Sequence, residues 1–138
     1  MIGGKKVLVG GCFDLLHYGH ITFLKQAWRL GTHLVVALEA DDAIASKGRP
    51  VIHSQQERRE ILLSLKMVHE VIDLPSLSTY GEYLSLVKEI APHIIAVTEG
   101  DPYLDHKQRQ AQEIGAKVRI VTPLLPGYSS SGFFKRVC

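Results

Sequence analysis

The sequence predicts an α/β fold: a Rossmann-like, doubly wound sheet of five parallel strands with helices on both faces. Three observations carry that reading. Short apolar runs alternate with segments of helical periodicity along all 138 residues. The apolar runs are mostly hydrophobic on both faces, as parallel strands covered by helices on each side must be. The strand-then-helix order repeats five times, which suits right-handed crossovers that place helices on both faces of one sheet.

Each element has its own signal. Strands are expected at residues 6–10, 34–39, 70–74, 94–98 and 117–122. The first helix follows at residues 21–30, with Ile21, Leu24, Ala27 and Trp28 on one face and Gly31 as its stop. Ser54–Glu57 and Thr79–Glu82 both have capping-box spacing, the first ahead of Ile61, Leu62 and Leu65, the second ahead of Tyr83, Leu84, Val87 and Ile90. Asp105 is expected to cap a fourth helix ending near Gly115, and residues 129–131 to open a short fifth. No repeat, low-complexity tract or long linker interrupts the pattern, so residues 1–138 are expected to form a single domain with one sizeable core.

Composition narrows the function. Hydrophobic residues make up 46% and charged residues 22%, the balance of a soluble globular protein. A net charge of +2 is too small to argue for nucleic acid or an anionic membrane. No run approaches the roughly eighteen apolar residues of a membrane span, and the first six residues lack the apolar stretch of a signal peptide. Two cysteines, Cys12 and Cys138, suit a reducing cytoplasm. The expectation is a cytoplasmic protein whose partners include neither nucleic acid nor membrane.

The chemistry concentrates in residues 11–20, Gly-Cys-Phe-Asp-Leu-Leu-His-Tyr-Gly-His, between the first strand and the first helix. In an open α/β sheet ligands bind beyond the carboxyl ends of the strands, and this turn lies at one of them. Gly10, Gly11 and Gly19 remove side chains where a phosphate must approach backbone N–H groups. The free N–H groups and dipole of a helix start favour an anion. His17 and His20 are three residues apart and so share a helical face. Either can donate to a phosphate oxygen, and when protonated can stabilise charge that grows there. Two other readings stand beside this one: Phe13, Leu15 and Leu16 as core with the histidines as ordinary helix-start polars, or His17 and His20 with Asp14 or Cys12 as a metal site.

The run resembles the Gly-x-Phe-Asp-x-x-His-x-Gly-His signature of the cytidylyltransferase-like nucleotidylyltransferases. Gly11, Phe13, Asp14, His17, Gly19 and His20 occupy its fixed positions. The resemblance implies nucleotidyl transfer, in which a phosphate of a small substrate attacks the α-phosphorus of a nucleoside triphosphate and pyrophosphate leaves. It implies that His17 and His20 contact the triphosphate, and that Lys47, after the second strand, reaches the phosphates as a third catalytic residue. Gly11, Cys12, Phe13 and Gly19 would line the nucleotide site, with Asp14 fixing the turn through backbone N–H groups in an Asx-type role. Arg58 matches an arginine that helps bind phosphate, Asp101 an aspartate of the nucleotide pocket, and Asp41 an aspartate near the acceptor. Ser129, Ser130 and Ser131 match a hydroxyl-bearing stretch that binds the triphosphate. No protein metal site is expected; Mg²⁺ would arrive with the triphosphate. Homodimers are typical of such relatives.

The chain departs from the pattern at Glu99, which replaces a small residue, and at Leu124, Leu125 and Pro126, where glycerol-3-phosphate cytidylyltransferases carry Arg-Thr-Glu. CTP is the favoured donor, with a polyol or sugar phosphate as acceptor. Resemblance to the nucleotidyl domains that make ADP-heptose, and to archaeal enzymes that adenylylate FMN, keeps ATP open. A nucleotide-binding module without turnover is the reading from another class.

Overall fold

The computed structural model describes residues 4–123. Ten elements follow in chain order: β1 Lys6–Gly11, α1 Tyr18–Trp28, β2 His33–Leu38, α2 Asp41–Ala45, α3 Gln55–Leu63, β3 Glu70–Asp73, α4 Tyr80–Ile90, β4 Ile94–Thr98, α5 Leu104–Ile114 and β5 Lys117–Thr122. The five strands form one parallel sheet in the order β3-β2-β1-β4-β5. The chain winds outward from β1 to β3, returns across the sheet to β4 and winds outward again. The strand order therefore reverses between β1 and β4, where a ligand crevice is expected. β1 and β4 are in register only at Val7–Ile94 and Leu8–Ile95, so their carboxyl ends part beyond those pairs.

Alternating strand residues build two cores. Val7, Val9, Leu34, Val36 and Leu38 meet Leu24 of α1 and Leu62 of α3 on one face. Leu8, Val35, Ile95 and Val97 meet Val87 and Ile90 of α4 and Ala111 of α5 on the other. Each such aliphatic side chain contributes about 1.5–3 kcal/mol by leaving water. This double covering holds for the central strands. It fails at the margin: the edge strand β5 leaves Lys117, Arg119 and Ile120 exposed.

Both expected capping boxes are present, Ser54 with Glu57 and Thr79 with Glu82. The first helix starts three residues earlier than its apolar face suggests, because the histidines cap it. Gly31 does not end it by a left-handed turn. The C-cap, Arg29, is right-handed, and a β-carbon at Gly31 would run into the Lys5 carbonyl and the Val7 side chain. Close approach to β1 is what requires glycine there. Asp105 lies inside the first turn of α5, and Asp101 supports that helix start instead, accepting from the Tyr103 amide at 2.7 Å. The five-residue helix α2 is too short to show a period and was not expected. The proposed fifth helix at 129–131 lies outside the described residues.

Candidate active site

The turn after β1 is an unusual piece of backbone. Phe13 (φ 48°) and Leu15 (φ 63°) both adopt the left-handed conformation without being glycine. Such residues cost on the order of 1–3 kcal/mol each and persist only where packing imposes them. Here Phe13 is buried in the α1–α3 core, and a β-carbon on Gly11 would come within 3.0 Å of its ring. Gly11 thus makes room for the Phe13 ring.

At the start of α1 the two histidines cap the helix reciprocally. His17 Nδ1 accepts from the Gly19 amide at 3.1 Å, and His20 Nδ1 accepts from the His17 amide at 3.4 Å. The Gly19 amide is therefore engaged by His17. An imidazole nitrogen that accepts an N–H carries no proton, so each neutral ring bears its hydrogen on Nε2. The rings stack with centroids 3.8 Å apart. Burial lowers the pKa of His17. Burial first, then the charges of His17 and Arg49, lowers that of His20 to about 3. The site thus holds two neutral Nε2–H donors at neutral pH, where the sequence also allowed imidazolium.

Two buried side chains fasten this turn to distant segments. Asp14 accepts from the Ile52 amide at 2.8 Å and the His53 amide at 3.0 Å. Both of these amides belong to a loop 38 and 39 residues on, so Asp14 also anchors its turn to a distant segment. Arg58 has a side chain 0% exposed, a value that decides its part. Nε donates to the His53 carbonyl at 3.1 Å, Nη1 to the Cys12 and Glu39 carbonyls at 2.8 Å each, and Nη2 to Asp41 Oδ1 at 2.7 Å. The guanidinium joins the turn, the end of β2 and the start of α3. In this geometry it is a positioning residue, and one oxygen of the half-exposed Asp41 is already committed to it.

Lys47 is exposed, yet its Nζ reaches back to Cys12 Sγ at 3.4 Å. Two residues on stands Arg49, whose Nε is buried and has no hydrogen-bond partner among the described residues. Its charge is felt at His20. Sequence reasoning passed over Arg49; its place two residues after Lys47, ahead of Pro50, was the available signal. Two imidazole donors, an ammonium and a guanidinium therefore converge beside the carboxyl end of β1, an arrangement suited to several phosphates. Among the described residues no group of three or more His, Cys, Asp and Glu side chains could hold a metal ion.

Past β4, Gly100 (φ 81°) turns the chain into Asp101, whose carboxylate takes the Tyr103 amide and Lys107 Nζ at 2.6 Å. Glu99 is exposed, and its amide bonds the Thr122 carbonyl. Ser129, Ser130 and Ser131, and the Leu124–Pro126 departure, lie outside the described residues. No helix among the described residues is long and apolar enough to cross a membrane.

Comparison with known proteins gives the family. The cytidylyltransferase-like family model matches residues 8–132. A FAD synthase of Pyrococcus abyssi is 38% identical over 129 residues, covering 88% of this chain and 82% of the relative. The bifunctional protein HldE of Methylobacillus flagellatus is 35% identical over 98% of this chain, which spans only 27% of that longer protein. Among solved structures, a lipopolysaccharide core biosynthesis protein from Thermoplasma volcanium superposes with a TM-score of 0.71 at 28% identity, covering 89% of this chain and 98% of the other. A pantoate–β-alanine ligase from Francisella tularensis shares the fold, with a TM-score of 0.69 at 16% identity. The chain belongs to the cytidylyltransferase-like family and is a nucleotidyltransferase.

Proposed function

We propose that this protein is an adenylyltransferase that moves AMP from ATP to the phosphate of FMN, making FAD and pyrophosphate. The observation that carries the reading is the stacked pair of neutral Nε2–H donors, His17 and His20, beside Lys47 and Arg49, in a chain 38% identical to a FAD synthase over most of both lengths. The relatives favour ATP over the CTP expected from the motif. FAD is FMN and AMP joined through a pyrophosphate, so a nucleotidyltransferase that makes it uses ATP.

In the proposed step an FMN phosphate oxygen forms a bond to the α-phosphorus of MgATP. The bond from that phosphorus to the α–β bridging oxygen breaks, and pyrophosphate leaves with the electron pair. Mg²⁺ enters as part of the substrate, held by the phosphate oxygens. His17 and His20 donate to the phosphate oxygens on which charge grows, and Lys47 and Arg49 offset the charge of the leaving pyrophosphate. Gly11, Cys12, Phe13, Asp14, Gly19 and Asp101 shape the nucleotide site, Arg58 holds its loops together, Asp41 faces the acceptor side, and Ser129–Ser131 supply hydroxyls to the triphosphate. A single domain over residues 1–138 is supported by the unbroken family match. A cytoplasmic homodimer completes the reading, on the resemblance to dimeric relatives.

The second reading is adenylyl transfer to a heptose phosphate, favoured by the 35% identity to HldE over 98% of this chain. One assay separates them. Pyrophosphate release is measured with ATP or CTP against FMN, heptose 1-phosphate and glycerol 3-phosphate, and FAD is followed by chromatography. FAD formed from ATP and FMN is the expected result. Turnover with CTP alone, or with heptose 1-phosphate but not FMN, overturns it.

A further inference from the structure

On the α4–α5 side of the same strand ends stands a group of side chains that the phosphate site does not use. Glu39 is the first residue past β2. Its amide donates to the Gly11 carbonyl at 3.0 Å and its own carbonyl accepts from Arg58, so its backbone is fixed against the turn. Its carboxylate crosses to α4, where Tyr83 Oη donates to Oε1 at 3.1 Å and Oε2 at 3.2 Å. Burial first, then Glu39, raises the Tyr83 pKa to about 12, with smaller contributions from Tyr103 and Cys12. The phenol therefore stays a donor at any working pH. Tyr103 is 57% exposed and continues into further rings: His106 with centroids 6.2 Å away, then Tyr80 at 5.4 Å from His106, with the Arg109 guanidinium 4.8 Å over Tyr80.

A carboxylate beside a phosphate cradle is the wrong charge for any part of a triphosphate, since like charges a few ångströms apart repel. It suits a neutral hydrogen-bond donor instead. One phenolic proton serves a group with about four acceptor sites, so Glu39 retains capacity for a second partner. Tyr83 holds the carboxylate in one place, which lowers the cost of ordering it when that partner arrives. Exposed rings nearby offer a face on which a flat molecule can stack. Polyphosphate chemistry explains none of these features; an acceptor with a ring and N–H or O–H groups explains all of them.

We propose that Glu39, held by Tyr83, together with the exposed Tyr103, forms the acceptor-specificity subsite and takes the hydrogen-bond-donating ring portion of the phosphorylated acceptor. This rests on the adenylyltransferase reading above, and for FMN the donors are its ring N–H and its ribityl hydroxyls. Glu39 touches the acceptor directly, and Tyr83 acts through Glu39 as a positioning residue.

Steady-state kinetics test it, with FMN and MgATP varied separately for wild type, Glu39→Gln, Tyr83→Phe and Tyr103→Ala, and heptose 1-phosphate as a parallel acceptor. Glu39→Gln is expected to raise KM for FMN about tenfold, the size of one hydrogen bond to a charged group, with KM for ATP within about twofold. Tyr83→Phe should produce a smaller rise in the same constant, and Tyr103→Ala should lessen the quenching of flavin fluorescence on binding. Unchanged FMN KM in all three variants, or equal rises for FMN and ATP, overturns the subsite. If wild type uses heptose 1-phosphate instead of FMN, the FMN reading fails separately. The subsite then survives only if Glu39→Gln raises the heptose phosphate KM and Tyr103→Ala does the same. A wild type inactive with both acceptors overturns both.

Discussion

The two sides of the β1–β2 strand ends are built on opposite plans. On the α1 side, the turn at 12–17 is buried at Cys12, Phe13 and Asp14, bent through two left-handed residues and tied by Asp14 and Arg58 to segments far along the chain. Its histidines are neutral, and their Nδ1 atoms are occupied by the backbone. On the α4–α5 side, the Glu39 carboxylate stands among partly exposed rings, and its side-chain hydrogen-bond partner is a single phenol, Tyr83. The first side resembles a fixed tool, the second an adjustable grip. The contrast shows where one fold keeps its chemistry constant and where it changes what it accepts.

The strongest way to break that contrast is Arg58→Ala. Removing the guanidinium leaves the Cys12, Glu39 and His53 carbonyls without this donor. The expected loss is about 3 kcal/mol of stability, since a deserted buried acceptor such as the Cys12 carbonyl costs on the order of 1–3 kcal/mol and the two part-buried carbonyls add less. Denaturant unfolding measures it, and a loss under about 1 kcal/mol means the three segments hold together without Arg58. Next comes His17→Asn or His20→Asn. An Asn oxygen can take over the capping role of Nδ1, while the reach of Nε2–H is lost. The fold should survive while turnover falls roughly 10²-fold, as when one electrostatic donor is removed. Near-normal turnover in both variants assigns the imidazoles to capping alone.

A smaller effect follows from the His20 pKa, lowered from 6.5 to about 3. In this window the unfolded chain binds a proton that the folded chain refuses. The His20 contribution to stability is therefore fully present above about pH 6.5 and is lost as pH falls toward 3. Melting scans from pH 7 to pH 4 should show a shallower fall in Tm for His20→Asn than for wild type; parallel curves refute the linkage. The smallest effect sharpens the other side. Tyr103→Ala, at an exposed position, should move stability by no more than about 0.5 kcal/mol, and a larger loss would mean this side is as tightly built as the first.

Much of this was legible in the sequence because it rests on short-range pattern. Strand periodicity, the Ser54 and Thr79 capping boxes and the strand–turn–helix setting of residues 11–20 are local, and they appear where expected. What escaped depends on contacts between residues far apart in the chain. Arg58 reads in sequence as a helix-surface arginine or a phosphate ligand, and only the fold shows it enclosed by three carbonyls and Asp41. Arg49 follows Lys47 by two residues, a weak signal that gains meaning only when its charge is felt at His20. Glu39 ends an apolar strand like any polar terminus, and Tyr83, 44 residues later, sits among core positions of a helix. Their pairing across the sheet end has no signature in either segment.

The Asp14 contacts have one further consequence, for how this loop tolerates sequence change. Asp14 grips Ile52 and His53 by their amides, so the hold does not depend on which side chains those residues carry. Val51 and Ile52 are exposed. Their side chains can be exchanged without removing either of the two amides that Asp14 holds. Sequence variety there is compatible with an unchanged active centre, and the loop offers a place to alter surface chemistry without disturbing the machinery beneath.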